Sequence, residues 1–313
     1  MCASLLRGFV PTILAVVATL AVAAPASAAP PKLGDRDVQT LESYWSDQSA
    51  GARRGGSSAP ATELLAAAQP DECFAGIGEP YPDGEKDETG RLICPDGSQP
   101  KVNQAYVWGL TKAGDTLWFG TGPNVHCLVL ASYLQTTAPI QTDTWVCEGE
   151  AASYLTDNPF GVTLPAGLGD WRPPQLFTYD TATDTLTERF PGDQTGRVRL
   201  AATLGIRSAG SLGDRVFLAG PALTGGLNVF VFAPDGTYIG SENLGGYTNI
   251  RKWVEVGGHL YTGVGVGDDG VGEAGSEGGA VLRYTGSTTE DPFQYVEVGR
   301  MASEPVELAE HEG

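Results

Sequence analysis

Histidine, basic charge and cysteine motifs are what this chain has least of. Three histidines stand among 313 residues, at His126, His259 and His311, and they fall in separate strands or turns. That spread leaves no H-E-x-x-H pair, and neither a G-x-S-x-G elbow nor a P-loop is present, so the common hydrolase and phosphate-binding devices have nothing to rest on. Gly263-Val264-Gly265-Val266-Gly267 imitates a phosphate loop by composition alone, because no helix is expected after it. Basic residues number 19 against 38 acidic ones, for a formal net charge of −19. Such a field repels phosphate backbones and anionic lipid surfaces, so neither nucleic acid nor a membrane surface is an expected partner. The excess carboxylate reads more simply as an extracellular surface kept soluble. After the first residues no apolar run is long enough to cross a bilayer.

The N-terminus does carry an apolar run. Arg7, a stretch from Phe9 to Ala24 interrupted by Pro11, and then Ala26-Ser27-Ala28 make the charged, apolar and small-residue parts of a secretory signal peptide over residues 1–28,. The mature chain is therefore expected outside the cell, with no retained membrane span. Cys2 lies in the signal, which leaves Cys73, Cys94, Cys127 and Cys147. An even count in an exported chain predicts two disulfides. All three pairings are open, with sequence neighbours the expected one. Zinc is disfavoured, since no C-x-x-C spacing exists and the one imidazole beside a cysteine is His126,.

Residues 29–70 are rich in Ala, Pro, Gly and Ser and read as a linker interrupted by two short helices, Asp37–Asp47 and Glu63–Gln69,. Residues 71–103 are dense in turns, with Pro80-Tyr81-Pro82-Asp83-Gly84 and Cys94-Pro95-Asp96-Gly97, and read as a Cys-stapled loop segment,. From residue 104 onward a phrase recurs: Gly114-Asp115-Thr116-Leu117-Trp118-Phe119-Gly120, then Gly213-Asp214-Arg215-Val216-Phe217-Leu218-Ala219-Gly220, then Gly257-Gly258-His259-Leu260-Tyr261-Thr262-Gly263. Each copy is a glycine-led turn opening into an apolar, aromatic-bearing strand, the pattern of a hairpin repeated in an array. Four short strands are expected per copy, over 104–190 with an insertion at 127–171, over 199–243 and over 248–300. A further strand is expected at Pro305-Val306-Glu307-Leu308, opening a fourth unit over 305–313. The fold class is thus all-β: an incomplete β-propeller of three four-stranded blades plus one extra strand, behind a disulfide-stapled, loop-rich N-terminal segment. A sandwich is the rival.

These phrases, together with Leu176-Phe177-Thr178-Tyr179-Asp180-Thr181-Ala182-Thr183-Asp184-Thr185-Leu186, resemble secreted β-propellers of the kelch or quinoprotein-like kind, and uncharacterised exported bacterial proteins of that class. The resemblance covers residues 104–313 and implies fold and compartment, without an activity. Propellers usually close with at least four blades, so the chain is expected to be a fragment, the rival being an oligomer that closes its ring between subunits.

Candidate site residues follow from the blade geometry. Arg207 and Arg251, with Lys252 beside the latter, occupy equivalent places on first strands, where they line the channel. They can hold a carboxylate or sulfate, or pair with acidic neighbours across blades. Trp145 and Trp171, with Tyr154 and Phe160, can form an aromatic platform for sugar rings or the insertion's own small core,. Asp268, Asp269 and Glu273 lie in a glycine-rich loop that can wrap calcium, although its spacing departs from the EF-hand order,. No catalytic residue and no other cofactor is expected. The expected function is binding of an extracellular glycan or protein, with a polysaccharide hydrolase or lyase as the rival class.

Overall fold

The computed structural model describes residues 64–104, 106–127, 140–141, 146–148, 170–267, 277–286 and 291–311. The signal peptide, the Asp37–Asp47 helix, Trp145, Tyr154, Phe160 and the Asp268, Asp269 and Glu273 loop lie outside them. Short pairings open the chain: β1 (Glu72–Phe74), β2 (Glu85–Lys86), β3 (Leu92–Ile93) and β4 (Gln99–Lys101), with β1 on β4 and β2 on β3. A first four-stranded sheet takes β5 (Tyr106–Ala113) and β6 (Thr116–Gly122). The insertion holds the small pair β7 (Ile140–Gln141) and β8 (Val146–Cys147), and the sheet resumes with β9 (Leu176–Asp180) and β10 (Thr185–Arg189). Helix α1 (Gln194–Ala201) leads to a second sheet of β11 (Ser208–Leu212), β12 (Arg215–Pro221), β13 (Leu227–Phe232) and β14 (Tyr238–Leu244). A third sheet is built from β15 (Tyr247–Val256), β16 (His259–Val266), β17 (Gly278–Tyr284) and β18 (Tyr295–Met301). All three are antiparallel meanders, and the turn glycines Gly114, Gly213 and Gly257 adopt φ of 60°, 58° and 57°, a region that only a residue without Cβ enters freely,.

The middle sheet explains the packing. Along β12, Phe217 and Ala219 point to the third sheet while Val216 and Leu218 point to the first, as a period of two requires,. The same division holds on β13, where Val229 and Val231 meet one neighbour and Phe230 and Phe232 the other. Burial on both faces is why these strands read as unbroken apolar runs. Phe217 stacks on Trp253 at 5.2 Å and meets Tyr284 edge-on at 4.8 Å, while Trp118 lies 5.4 Å from Phe232 across the other interface.

Small residues let the sheets approach at their first strands. A Cβ on Gly109 of β5 would stand 2.7 Å from the backbone of Ser208, and one on Gly210 of β11 would stand 2.4 Å from Trp253. Ile206, at the entry to β11, seats against Gly120 of β6. Gly120 ends the first copy of the repeated phrase and Gly263 ends the third, and against Gly263 sits Pro305.

Three expectations need correction. Residues 305–311 form no strand, although Pro305 takes on the third sheet the seat that Ile206 takes on the first. The extra strand therefore gives way to an irregular tail, which pairs with no strand among the described residues. Residues 64–70 are irregular where a helix was expected over Glu63–Gln69; Ala66 to Pro70 instead line a cavity on the first sheet. Helix α1 was missed because only Gly196 and Leu200 are buried on it, too few for an amphipathic stripe,. Its one sequence signal is the N-cap, Asp193, whose carboxylate accepts from Gly196 N at 2.6 Å,.

The Ile206 seat is testable. Gly120→Ala places a Cβ 2.3 Å from Ile206 Cβ, and overpacking of this kind costs about 1–3 kcal/mol. Urea denaturation should show that loss; unchanged stability would mean the two sheets slide apart freely at this contact.

Candidate functional site

Charge, aromatic rings and cavities converge on the N-terminal side of the first sheet. Lys101 ends β4, Glu148 follows β8 and the disulfide-bonded Cys147, and Asp170 and Arg172 precede β9. Lys101 Nζ contacts Asp170 Oδ2 directly and lies 3.6 Å from Glu148 Oε1, with all three side chains essentially unexposed. Arg172 Nη1 donates to Asp170 Oδ1 at 2.5 Å and its Nε to Glu72 Oε1 at 3.0 Å. Tyr81 closes the set: its hydroxyl donates to Glu148 Oε1 and accepts from Lys101 Nζ at 3.1 Å and Arg172 Nη2 at 2.5 Å. Both cations also stand over the Tyr81 ring, at 5.3 and 5.0 Å from its centre,.

Two cations thus face three carboxylates. Burial raises the Glu148 carboxyl, against the pull of Lys101, and one of its oxygens, Oε2, has no hydrogen-bond partner among the described residues. Burial also raises the Tyr81 hydroxyl, so it stays a proton donor. Asparagines extend the network outward. Asn103 donates through N and Nδ2 to Asp71 Oδ1 at 2.9 and 3.0 Å, and Asn124 Nδ2 donates to Asn103 Oδ1 and to the Asp170 carbonyl, both at 2.8 Å. Asp71 is exposed as a residue, yet its carboxyl is turned inward, and burial lifts it from 3.8 to about 6.

Beside this cluster the outward face of the first sheet is apolar. Leu110, Phe119 and Phe177 form one cross-strand row in register. Phe119 and Phe177 stack at 5.4 Å with their planes 23° apart. The segment Ala66 to Asp71 and the β2–β3 hairpin roof this face and enclose a cavity of about 640 Å³, lined by Val107, Phe119, Phe177 and Leu186 together with Gln104, Gln175 and Glu188. A second cavity of about 440 Å³ shares Asp71, Gln104, Gln175 and Glu188 with it and reaches Glu72 and Arg172.

The residues singled out from the sequence are distributed otherwise. Arg207 lies over the Trp108 ring at 4.5 Å and donates to Asn249 Oδ1 at 2.7 Å. Asn249 Nδ2 donates to Glu304 Oε1 at 2.7 Å, and Arg251 Nε pairs with the same oxygen at 3.5 Å. Lys252 pairs with Glu307. The two arginines do share one strip along the first strands, but aromatic, amide and carboxylate groups of the chain already contact them. Trp171 is fully buried, so its ring offers no face to a ligand at the surface. Both disulfides join sequence neighbours, Cys73 to Cys94 and Cys127 to Cys147. His259 is an exposed residue at the start of β16. Among the described residues no group of three or more His, Cys, Asp or Glu is placed to hold a metal ion.

Sequence reasoning passed over Tyr81, Lys101, Glu148, Asp170 and Arg172. Their only local signal is the clustering of Asp170-Trp171-Arg172, since the others come from separate segments. Comparison with known proteins adds little to this geometry. No protein-family model matches the chain, and no curated protein does. Among solved structures it is similar to an ancestral GH74 enzyme, at 9% identity and a TM-score of 0.22, over 70% of this chain and 40% of that one. The chain therefore spans less than half the length of that enzyme.

The Asp71 carboxyl predicts a pH dependence. Its pKa is raised on folding, so between about pH 4 and 6 the folded chain holds a proton that the unfolded chain has released, and stability falls as pH rises through that window,. Asp71→Asn should remove this part of the slope in denaturation measured from pH 4 to 7. A variant whose stability tracks the parent at every pH would contradict it.

Proposed function

We propose that this chain is an exported, non-enzymatic binding protein of β-propeller architecture that holds a neutral extracellular glycan. Three tandem antiparallel sheets with first strands side by side, and the matching seats that Ile206 and Pro305 take on the first and third sheets, support the propeller reading. The N-terminal apolar run with its Ala-Ser-Ala exit and the two disulfides support export,. No helix among the described residues is long and apolar enough to cross a membrane.

The observation that carries the ligand reading is the cavity on the first sheet. Its volume of about 640 Å³ lies in the range that buries a small ligand,. Phe119 and Phe177 offer a flat apolar wall for the carbon face of a sugar ring, while Gln104, Gln175 and Glu188 set amide and carboxylate groups beside it for hydroxyls. Charge decides the class of sugar. Lys86 is the one cation among the described lining residues, against Asp71 and Glu188, so an acidic glycan would meet net repulsion.

A hydrolase is the second reading, and one observation favours it: Asp71 and Glu188 line both cavities, and burial raises each carboxyl. A paired acid and base can be drawn from two such groups. Asp71 Oδ1 is held by Asn103, however, which ties it to structure.

A panel of neutral oligosaccharides followed by calorimetry tests the proposal. Phe177→Ala should weaken binding about tenfold, the loss of roughly 1.4 kcal/mol of ring contact. Binding without new reducing ends supports the first reading, reducing ends appearing with time support the second, and no retained glycan overturns both.

A further inference from the structure

We propose that Lys101 and Asp170 join through an isopeptide bond, formed within the folded chain with Glu148 as proton carrier. The inference is independent of the glycan reading. Three features of the cluster carry it. Lys101 Nζ and the Asp170 carboxyl are in direct contact, and neither side chain is reached by solvent, so amine and acid are held together where water does not compete,. A further carboxyl, Glu148, stands with Oε1 3.6 Å from the same nitrogen, and its Oε2 has no hydrogen-bond partner among the described residues, so a carboxylate with spare accepting capacity lies next to the amine. Arg172 Nη1 donates to Asp170 Oδ1, the oxygen opposite the one that Lys101 touches.

The bond-making step balances without any co-reactant. Passage of the ammonium proton through Glu148 to Asp170 Oδ2 turns the ion pair into neutral amine and neutral acid. The Nζ lone pair then attacks Asp170 Cγ. The C–N bond forms, and negative charge gathers on Oδ1, where the Arg172 guanidinium already donates,. Glu148 takes the second amine proton and delivers it to Oδ2, the C–Oδ2 bond breaks, and one water leaves. Nothing is oxidised or reduced. The adjoining cavity of about 440 Å³, lined by Arg172 and Glu72, gives that water a way out.

The geometry also says what the bond would do. Lys101 belongs to β4, which the Cys73–Cys94 disulfide and the β1 pairing tie to the N-terminal segment, while Asp170 leads directly into β9 of the first sheet. An amide between them would lock that segment over the sheet face irreversibly, where the ion pair alone opens and closes.

Peptide mapping of the full chain tests the proposal, with disulfides reduced and the protein denatured before digestion. The expected result is a branched peptide carrying both Lys101 and Asp170, lighter than its two parts by one water, with no cleavage after Lys101. Recovery of the two peptides separately, with Lys101 cut normally, overturns the proposal and leaves a buried ion pair. Glu148→Gln keeps an acceptor for Tyr81 and removes the proton carrier, so the branched peptide should form about a hundredfold more slowly. Circular dichroism and hydrodynamic size confirm that this variant is folded. Linkage in it at the parent's rate would overturn the role of Glu148.

Discussion

Double-sided burial of the second sheet is the constraint on which the rest of this structure depends. Its two central strands spend alternate side chains on opposite neighbours, Phe217 on Trp253 in one direction and Phe232 on Trp118 in the other. Remove either neighbour and half of an apolar strand faces water, so the three sheets are mutually required. Glycines at the first strands make that mutual packing close enough to exclude water,. A consequence is that the first sheet is left with an outward face holding Leu110, Phe119, Phe177 and Leu186 and no further sheet described beside it.

The N-terminal segment answers that exposure. It roofs the outward face with an irregular stretch and a hairpin, and it is anchored by charge where the sheets are anchored by apolar packing. Lys101 and Arg172 share Tyr81 and divide three carboxylates between them, Asp170 and Glu148 where solvent does not reach and Glu72 at the partly exposed edge. Desolvation makes such a cluster a weak source of net stability, yet removing any one member leaves an uncompensated buried charge. It therefore specifies one docking geometry for the segment more than it strengthens the fold. Between the roof and the rings of Phe119 and Phe177 a cavity remains.

At the other end of the array the tail places Pro305 on Gly263, and Glu304 and Glu307 on Asn249, Arg251 and Lys252. Positively charged groups that the repeat brings to the first strands thus meet carboxylates carried by the chain's own tail. The recurrence of Arg207 and Arg251 was legible from the sequence, but the groups opposite them were not. Glu304 and Glu307, some fifty residues downstream, reach Arg251 and Lys252 only through the bend after β18, while Arg207 meets Trp108 and Asn249, and no local pattern announces either.

Much of the strand layout was legible before folding was considered. Turn glycines followed by apolar, aromatic-bearing runs place β12, β13 and β16 almost residue by residue, because the turn and the run it opens are local properties,. An even cysteine count, in a chain expected to be exported, anticipated two disulfides, and neighbours pair because short separations close cheaply,. Helix α1 escaped because its apolar face is two residues wide. The Lys101, Glu148, Asp170 and Tyr81 cluster escaped because its members come from four segments with nothing in common until they meet. The amino-acid sequence by itself determined where the backbone turns and which strands pair with their neighbours, since hydrogen bonding and side-chain alternation act over a few residues. Only the tertiary structure decided which charges are buried together and where a cavity remains, because desolvation and packing depend on residues far apart in the chain.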